Sequence, residues 1–163
     1  MIPDFADGTW YLPHGIHTAQ LDEVEGRFVT TAPFPSERRD VFDAFLLWHR
    51  IVSGILPTAR FWLDGGFVTH KPWAAPSDVD VTVMARPDEL NNLSVAEQTE
   101  LERQFTVIGP PRVQPMSGKV DAFLCVRGDV DRTLYWREHW ATVLDENRAK
   151  VADASKGFVE VRA

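Results

Sequence analysis

Two aspartates near the middle of the chain, Asp78 and Asp80, are the residues best suited by type and spacing to bind a metal ion. They open a β-branched run, and because successive side chains of a strand point to opposite faces, both carboxylates share one face. Two carboxylates on one face repel each other unless a cation lies between them. Mg²⁺ takes oxygen ligands and often binds through one or two carboxylates and substrate phosphates. The pair therefore predicts a Mg²⁺ site, with Mn²⁺ as an alternative, that binds a nucleoside triphosphate.

A glycine pair, Gly65-Gly66, ends the preceding apolar strand and lies twelve residues before these acids. Glycine lets the backbone approach a ligand closely and reach positive φ without strain. A short helix beginning at Phe67 would add free N–H groups that favour a bound phosphate. We therefore expect the triphosphate to lie against the glycine turn.

A third carboxylate, Asp121, heads another β-rich run, residues 119–126. Its place ahead of the most apolar part of that run matches the place of Asp78 and Asp80 in theirs. Transfer of a phosphoryl or nucleotidyl group with two metal ions needs a group that completes the acceptor-side metal site. Asp121 is the candidate for that role, whereas we interpret Asp64 as an acid that stabilises the glycine turn.

This arrangement resembles the nucleotidyltransferases of the DNA polymerase β type. Their motif is an apolar residue, Gly-Gly or Gly-Ser, a gap of about ten residues, an acid-apolar-acid triplet and a later third acid. More closely, the chain is similar to a group of small bacterial and phage proteins with this fold. The segments that carry this closer resemblance are residues 12–17, 62–69 and 156–161.

The resemblance implies an α+β fold, namely a polymerase β palm-like nucleotidyltransferase fold with a small mixed β-sheet flanked by helices. It implies one domain over residues 1–163, with the motif core at about 60–126 and with terminal segments 1–35 and 147–163 packed on it. By the same resemblance, Asp78, Asp80 and Asp121 are the catalytic and metal-binding residues, and Gly65 and Gly66 bind the nucleotide.

One motif position departs from many members of that superfamily. They have a serine whose hydroxyl contacts the triphosphate where this chain has Gly66. Thr69 and Lys71 are the nearest replacements, and the Lys71 ammonium could meet the β- and γ-phosphates. Lys119, just before the third strand, is a further candidate. A solvated surface lysine is an equally good interpretation of Lys71 and Lys119.

Composition narrows the classes of partner. With 17 basic and 24 acidic residues the formal charge is −7, and no run of three basic residues occurs, which argues against binding of an extended nucleic-acid duplex. The N-terminus has acids where a signal peptide needs basic and then apolar residues, and no apolar run approaches the length of a membrane span. The single Cys125 excludes an internal disulfide framework. We therefore expect a cytoplasmic protein.

The remaining elements are predicted as scaffold. Ser36 is expected to cap a helix with an apolar stripe, which comprises Val41, Phe45, Trp48, Val52 and Ile55. This stripe favours core packing and also permits a homodimer. Asp131 is expected to cap a last long helix that reaches about Glu146, and residues 157–161 alternate as in a short final strand.

Two functions remain open at this point. The first is a metal-dependent nucleotidyltransferase that moves a nucleoside monophosphate to a hydroxyl of a small molecule, a protein side chain or a tRNA end. The resemblance also implies a place in a toxin–antitoxin or phage-defence system, in which a partner protein would supply the acceptor-binding lobe. The second is a catalytically inactive nucleotide- or metal-binding module, or a protein-interaction module, on the same fold.

Overall fold

The computed structural model of the protein describes residues 1–163 as a mixed α+β structure. Its seven strands are β1 (Gly15–Thr18), β2 (Arg60–Asp64), β3 (Val79–Ala85), β4 (Val120–Val126), β5 (Thr142–Leu144), β6 (Lys150–Ser155) and β7 (Gly157–Arg162). Its helices are α1 (Leu21–Glu25), α2 (Pro35–Ile55), α3 (Pro87–Asn91), α4 (Val95–Glu102), α5 (Pro115–Gly118) and α6 (Val130–Trp140), and a π-helical turn (Gly26–Thr30) follows α1.

Five strands form one mixed sheet in the order β1-β7-β2-β3-β4. Strand β2 is antiparallel to β7 and β3, whereas β1 and β7 are parallel to each other, as are β3 and β4. The C-terminal end of β2 therefore lies beside the N-terminal ends of β3, β4 and β7, at one end of the sheet. This mixed sheet with flanking helices confirms the predicted α+β class.

Helix α2 covers one face of the sheet and forms the main core with it. The predicted stripe is confirmed, because Val41, Phe45, Trp48 and Val52 are buried, and it packs against the alternating apolar residues of the strands. The predicted cap is wrong: the helix begins at Pro35, after Phe34 in a left-handed conformation, so Ser36 lies inside the first turn. Proline suits the first helical position because its missing N–H has no partner there in any helix.

Helix α6 covers part of the opposite face. A smaller cluster of Trp62, Met84, Cys125, Trp136, Trp140 and Phe158 lies between α6 and the sheet. The buried indole of Trp140 donates a hydrogen bond to the Thr82 hydroxyl at 3.0 Å, which fixes the end of the helix on the central strands. The rest of this face, beyond the end of α6, carries the aspartates described below.

The predicted long last helix is wrong at both ends. Asp129, not Asp131, caps α6 by accepting a hydrogen bond from the backbone N–H of Arg132 at 3.0 Å. The helix ends at Trp140, and the chain continues into the antiparallel hairpin of β5 and β6 instead of reaching Glu146. Strand β7 follows at once, as the alternating pattern predicted. None of the helices has both the length and the apolar character needed to cross a membrane.

Candidate functional site

Three aspartates stand side by side on neighbouring strands at one end of the sheet. Asp64 ends β2 and pairs in register with Asp80 on β3, which pairs in register with Asp121 on β4. All three lie on the face that α6 covers only in part, because their neighbours Leu63, Val81 and Ala122 point into the main core. Asp78 immediately precedes β3 and is partly exposed. The acids that were predicted from separate parts of the sequence are thus neighbours in space, and Asp64 lies beside them. We call Asp64, Asp78, Asp80 and Asp121 together the acidic row.

Gly65 directs the chain past the Asp80 carboxylate. Its φ is +74°, a conformation that glycine adopts without strain. A Cβ atom built at Gly65 would lie 1.8 Å from Oδ2 of Asp80, so only glycine lets the backbone and this carboxylate come so close. The sequence prediction of a close backbone approach at the glycine turn therefore has a specific partner in the structure, the Asp80 side chain.

Gly66 leaves the space that the Lys71 ammonium occupies. A Cβ atom at this position would lie 2.9 Å from Nζ of Lys71 and 3.7 Å from Cβ of Pro76. Lys71 is partly buried, and burial, followed by the charge of Arg38, lowers its pKa. Of Thr69 and Lys71, the two residues proposed to replace a serine hydroxyl at Gly66, Lys71 is the one whose charged group lies beside Gly66.

The other predicted nucleotide-binding residues are placed differently. The Thr69 hydroxyl is buried and donates a hydrogen bond to the Gly66 carbonyl oxygen at 2.8 Å, so it stabilises the turn. Lys119 is partly buried just before β4, and its side chain forms no ion pair with an acid. No helix begins at Phe67: residues 65–68 form a turn, and Thr69 then pairs with Tyr11 in an antiparallel bridge. Helical N–H groups are therefore absent from this turn.

Asp80 is the member of the row without a hydrogen-bonding partner. Asp64 has Lys156, Asp78 has Ser77 and Gln114, and Asp121 has Thr106 and Arg112, but no side chain donates to Asp80. Burial, followed by the charges of Asp64, Asp78 and Asp121, raises the pKa of Asp80 to about 7. A partly buried carboxylate among three others, without a donor, has the environment that a bound cation would relieve.

Lys156 is a residue of this site that the sequence analysis missed. Its ammonium forms a buried ion pair with Asp64, although 92 residues separate the two along the chain. Burial raises the pKa of Asp64 to about 6, and the Lys156 charge opposes that rise. The interpretation of Asp64 as a turn-stabilising acid is therefore incomplete, because Asp64 also positions a lysine beside the acidic row. The only signal in the sequence was that Lys156 opens one of the segments shared with the resembling proteins.

The side chains of the other two acids are held by residues 106–114. The Thr106 hydroxyl donates to Oδ1 of Asp121 at 2.7 Å, and the Arg112 guanidinium donates to Oδ2. The Gln114 amide donates to Oδ2 of Asp78 at 3.0 Å. With these contacts, no three His, Cys, Asp or Glu side chains are close enough together to enclose a metal ion.

A buried arginine fixes the glycine turn to the main core. Arg38 of α2 is fully buried and donates hydrogen bonds to the carbonyl oxygens of Phe67 and Thr69, both at 2.6 Å. It also donates to the carbonyls of Pro33 and Phe28, so its charge meets only backbone dipoles. Burial lowers its pKa to about 10. Arg38 thus ties the residues that follow the glycine pair to helix α2.

The aromatic and histidine residues of the same loop have packing roles. His70 lies with its ring 4.4 Å from that of Phe5 and hydrogen bonds to the Arg27 carbonyl oxygen at 2.7 Å. Trp73 is 37% exposed and meets Trp10 edge to face at 4.7 Å. The N-terminal segment therefore packs on the glycine turn and its loop.

The three segments that carried the closer sequence resemblance meet at this end of the sheet. Gly15 pairs with Gly157, so β1 lies beside β7, and β7 lies beside β2 with its Asp64. A Cβ atom at Gly157 would lie 2.2 Å from the Pro13 carbonyl oxygen and 2.5 Å from Nε2 of His17. Gly157 thus permits the N-terminal segment to lie close against the start of β7, next to Lys156.

Two cavities lie away from the acidic row. One, of about 350 Å³, is at the opposite end of the sheet, beside His49 and Arg162. The other, of about 460 Å³, lies between α6 and the β5–β6 hairpin and is bordered by His14, Arg137 and Lys150. Neither is lined by Asp78, Asp80 or Asp121.

The fold and site define a mixed α+β protein with an acidic row at one end of a five-stranded sheet, beside a glycine turn. A family model matches residues 3–162, nearly the whole chain. The chain therefore belongs to the family of unknown function DUF6932. No curated protein and no solved structure matches it.

Proposed function

We propose that the protein is a metal-dependent nucleotidyltransferase of the DNA polymerase β type. It transfers a nucleoside monophosphate from a nucleoside triphosphate to a hydroxyl acceptor. The observation that carries this proposal is the arrangement around Asp80. Asp64 and Asp121 flank Asp80 in register, the backbone of Gly65 lies against it, and no side chain donates a hydrogen bond to it.

The donor chemistry of these residues fits a divalent metal ion, although the carboxylates would have to draw together to enclose it. Carboxylate oxygens are the ligands that Mg²⁺ and Mn²⁺ prefer, and Asp80 has no competing hydrogen-bond donor. Asp78, Asp80 and Asp121 are the residues that would hold such ions. When bound, the ions would neutralise charge on the phosphates and lower the pKa of the acceptor hydroxyl.

The chain's own residues orient the substrates in this proposal. The Gly65-Gly66 turn lets the triphosphate approach the backbone, and the Lys71 ammonium beside Gly66 binds the terminal phosphate oxygens. Asp121 accepts the proton of the acceptor hydroxyl as its oxygen attacks the α-phosphorus and pyrophosphate leaves in line. Arg38 holds the turn in place through Phe67 and Thr69.

The charge of the protein limits the acceptor. A formal charge of −7 favours a small molecule, a protein side chain or a tRNA end over an extended duplex. A partner protein, as in toxin–antitoxin or phage-defence systems, would bring the acceptor to the acidic row. The proposal places the enzyme in the cytoplasm, where triphosphates and Mg²⁺ are present.

A second candidate is a catalytically inactive binding or protein-interaction module. One observation favours it: Asp64 and Asp121 each have a cationic partner within the chain. Such pairs would replace a bound metal ion in a domain that kept the fold and lost the reaction.

Asp121→Ala distinguishes the two candidates. For a catalyst, we expect the variant to bind triphosphate nearly as well as wild type while pyrophosphate release and transfer of α-³²P label fall by at least about a hundredfold. Asp7→Asn is the control, since Asp7 is exposed and remote in sequence from the row. Equal rates of label transfer in Asp121→Ala and wild type would contradict the assigned role, and binding of nucleotide without turnover in wild type would favour the second candidate.

A further inference from the structure

Residues 106–114 form a segment that reaches from the edge strand β4 back over the acidic row. The Thr106 N–H donates to the Ala122 carbonyl oxygen at 2.9 Å, so the segment starts on the free edge of β4. Val107 and Val113 pair in an antiparallel bridge, with N–O distances of 2.9 and 3.2 Å, and Gly109, Pro110 and Pro111 form the turn between them. The segment thus resembles a small hairpin whose second arm carries Arg112 and Gln114 toward the acids.

This segment occupies the groups that the proposed function needs for metal ions. Both carboxylate oxygens of Asp121 are engaged, Oδ1 by the Thr106 hydroxyl and Oδ2 by the Arg112 guanidinium. One oxygen of Asp78 is engaged by the Gln114 amide. A metal ion that takes Oδ2 of Asp121 competes directly with Arg112, because both are cations and seek the same lone pairs.

The contacts that hold Arg112 are few. Its side chain is 50% exposed, and Val107, Ile108 and Val113 of the same segment are exposed as well, so the segment has little apolar packing to keep it in place. Asp121, by contrast, is buried, so the departure of Arg112 alone would leave its carboxylate without a cation. The exchange is therefore favourable only when a metal ion takes the place of Arg112 on Asp121, and the freed guanidinium has the fork geometry that binds phosphate oxygens in pairs.

We propose that Arg112 is a nucleotide-binding residue that exchanges partners, from Asp121 in the ligand-free protein to the triphosphate when metal ion and nucleotide bind. This inference rests on the proposed function and adds to it a residue outside the glycine and aspartate motif. The guanidinium leaves Asp121 free to ligate, and it supplies positive charge to the phosphates at the β4 end of the row, whereas Lys156 lies at the β2 end.

Arg112→Ala tests the exchange through two affinities that must move in opposite directions. Mn²⁺ binding without nucleotide, measured by electron paramagnetic resonance of the free ion, should tighten by about threefold, because a competitor for Asp121 is removed. Nucleotide affinity is measured in Mg²⁺ with each of the four ribonucleoside triphosphates. For any triphosphate that binds wild type, the affinity should fall by about tenfold or more, because a charge-assisted hydrogen bond to phosphate is lost.

Two further variants sharpen the test. Arg103→Ala removes the same charge from an exposed arginine that pairs with Glu100 of α4, and it should leave both affinities unchanged. Arg112→Lys keeps the charge without the fork, and it should recover part of the nucleotide affinity.

The outcomes separate this inference from the proposed function. Weakening of both affinities in Arg112→Ala, or no change in either, with wild type binding normally, would overturn the inference and leave the proposed function intact. If wild type binds neither Mn²⁺ nor any triphosphate, both proposals fail.

Discussion

The Asp80 carboxylate should make the protein less stable as pH rises toward neutrality. Its pKa is raised to about 7 in the folded state, against about 3.9 in an unfolded chain. Between these values the folded protein holds a proton that the unfolded chain has lost, so the free energy of unfolding falls as pH rises from about 4 to 7. Asp80→Asn carries no charge at any pH and should escape this loss.

The size of the effect follows from the two pKa values. At about 1.4 kcal/mol for each pH unit, the difference between 3.9 and 7 corresponds to about 4 kcal/mol. Asp80 is partly exposed, and solvent screens its neighbours, so we expect about half of that. Asp80→Asn should therefore exceed wild type by about 2 kcal/mol at pH 8 and come close to it only near pH 4, where both states of wild type begin to hold the proton.

Urea unfolding in EDTA at pH 4, 5, 6, 7 and 8 measures this difference. With a slope of about 2 kcal/mol per molar urea, the variant's midpoint at pH 8 should lie about 1 M above that of wild type. Asp7→Asn, at an exposed position, should track wild type at every pH. Equal or lower stability of Asp80→Asn at pH 8 would refute the view that Asp80 is an uncompensated carboxylate.

Four other substitutions test the parts that position the row. Gly65→Ala should lower the free energy of unfolding by about 1–3 kcal/mol, because φ is +74° at this position and the added Cβ would overlap the Asp80 carboxylate. Gly66→Ala should cost less stability, because its Cβ meets only the flexible end of Lys71 and the side chain of Pro76, but it should weaken triphosphate affinity. Lys156→Met should lower the free energy of unfolding by about 3–5 kcal/mol, because it leaves the Asp64 carboxylate buried and unpaired. The double variant Lys156→Met/Asp64→Asn should regain most of this stability. Equal urea unfolding midpoints of the single and double variants would contradict the pairing. Gly157→Ala should lower the free energy of unfolding by at least about 2 kcal/mol, because the added Cβ would overlap the Pro13 carbonyl oxygen. An unchanged melting temperature would show that the N-terminal segment does not lie close against β7.

Local sequence patterns predicted the central elements well. The spacing from Val41 to Val52 is that of a helix with one apolar face, the runs at β2, β3 and β4 are short and apolar or β-branched, and residues 157–161 alternate. The end of α6 could not be predicted in the same way. Trp136, Trp140 and Leu144 have helical spacing, yet Leu144 belongs to a strand and is 44% exposed. The hairpin that follows α6 is polar and partly exposed, so its pattern carried little information.

The acidic row was predicted in part because its motif is local, whereas its partners are not. Asp78, Asp80 and the glycines lie within sixteen residues, and their order alone places them on adjoining strands. Lys156 and Arg112 were not assigned to the row because ion pairs between distant segments leave no pattern in the sequence. The cap at Ser36 was mispredicted for a different reason, since Pro35 after a left-handed Phe34 starts the helix without a side-chain cap.

Thermal unfolding with each nucleoside triphosphate, with and without Mg²⁺, tests the central claim most directly. A ligand at a hundred times its Kd stabilises the folded state by about 2.7 kcal/mol, which is readily seen as a rise in melting temperature. The proposed function predicts a Mg²⁺-dependent rise with at least one triphosphate in wild type and its loss in Asp78→Asn/Asp80→Asn. No rise with any triphosphate, or an equal rise in the double variant, would contradict a triphosphate site at the acidic row.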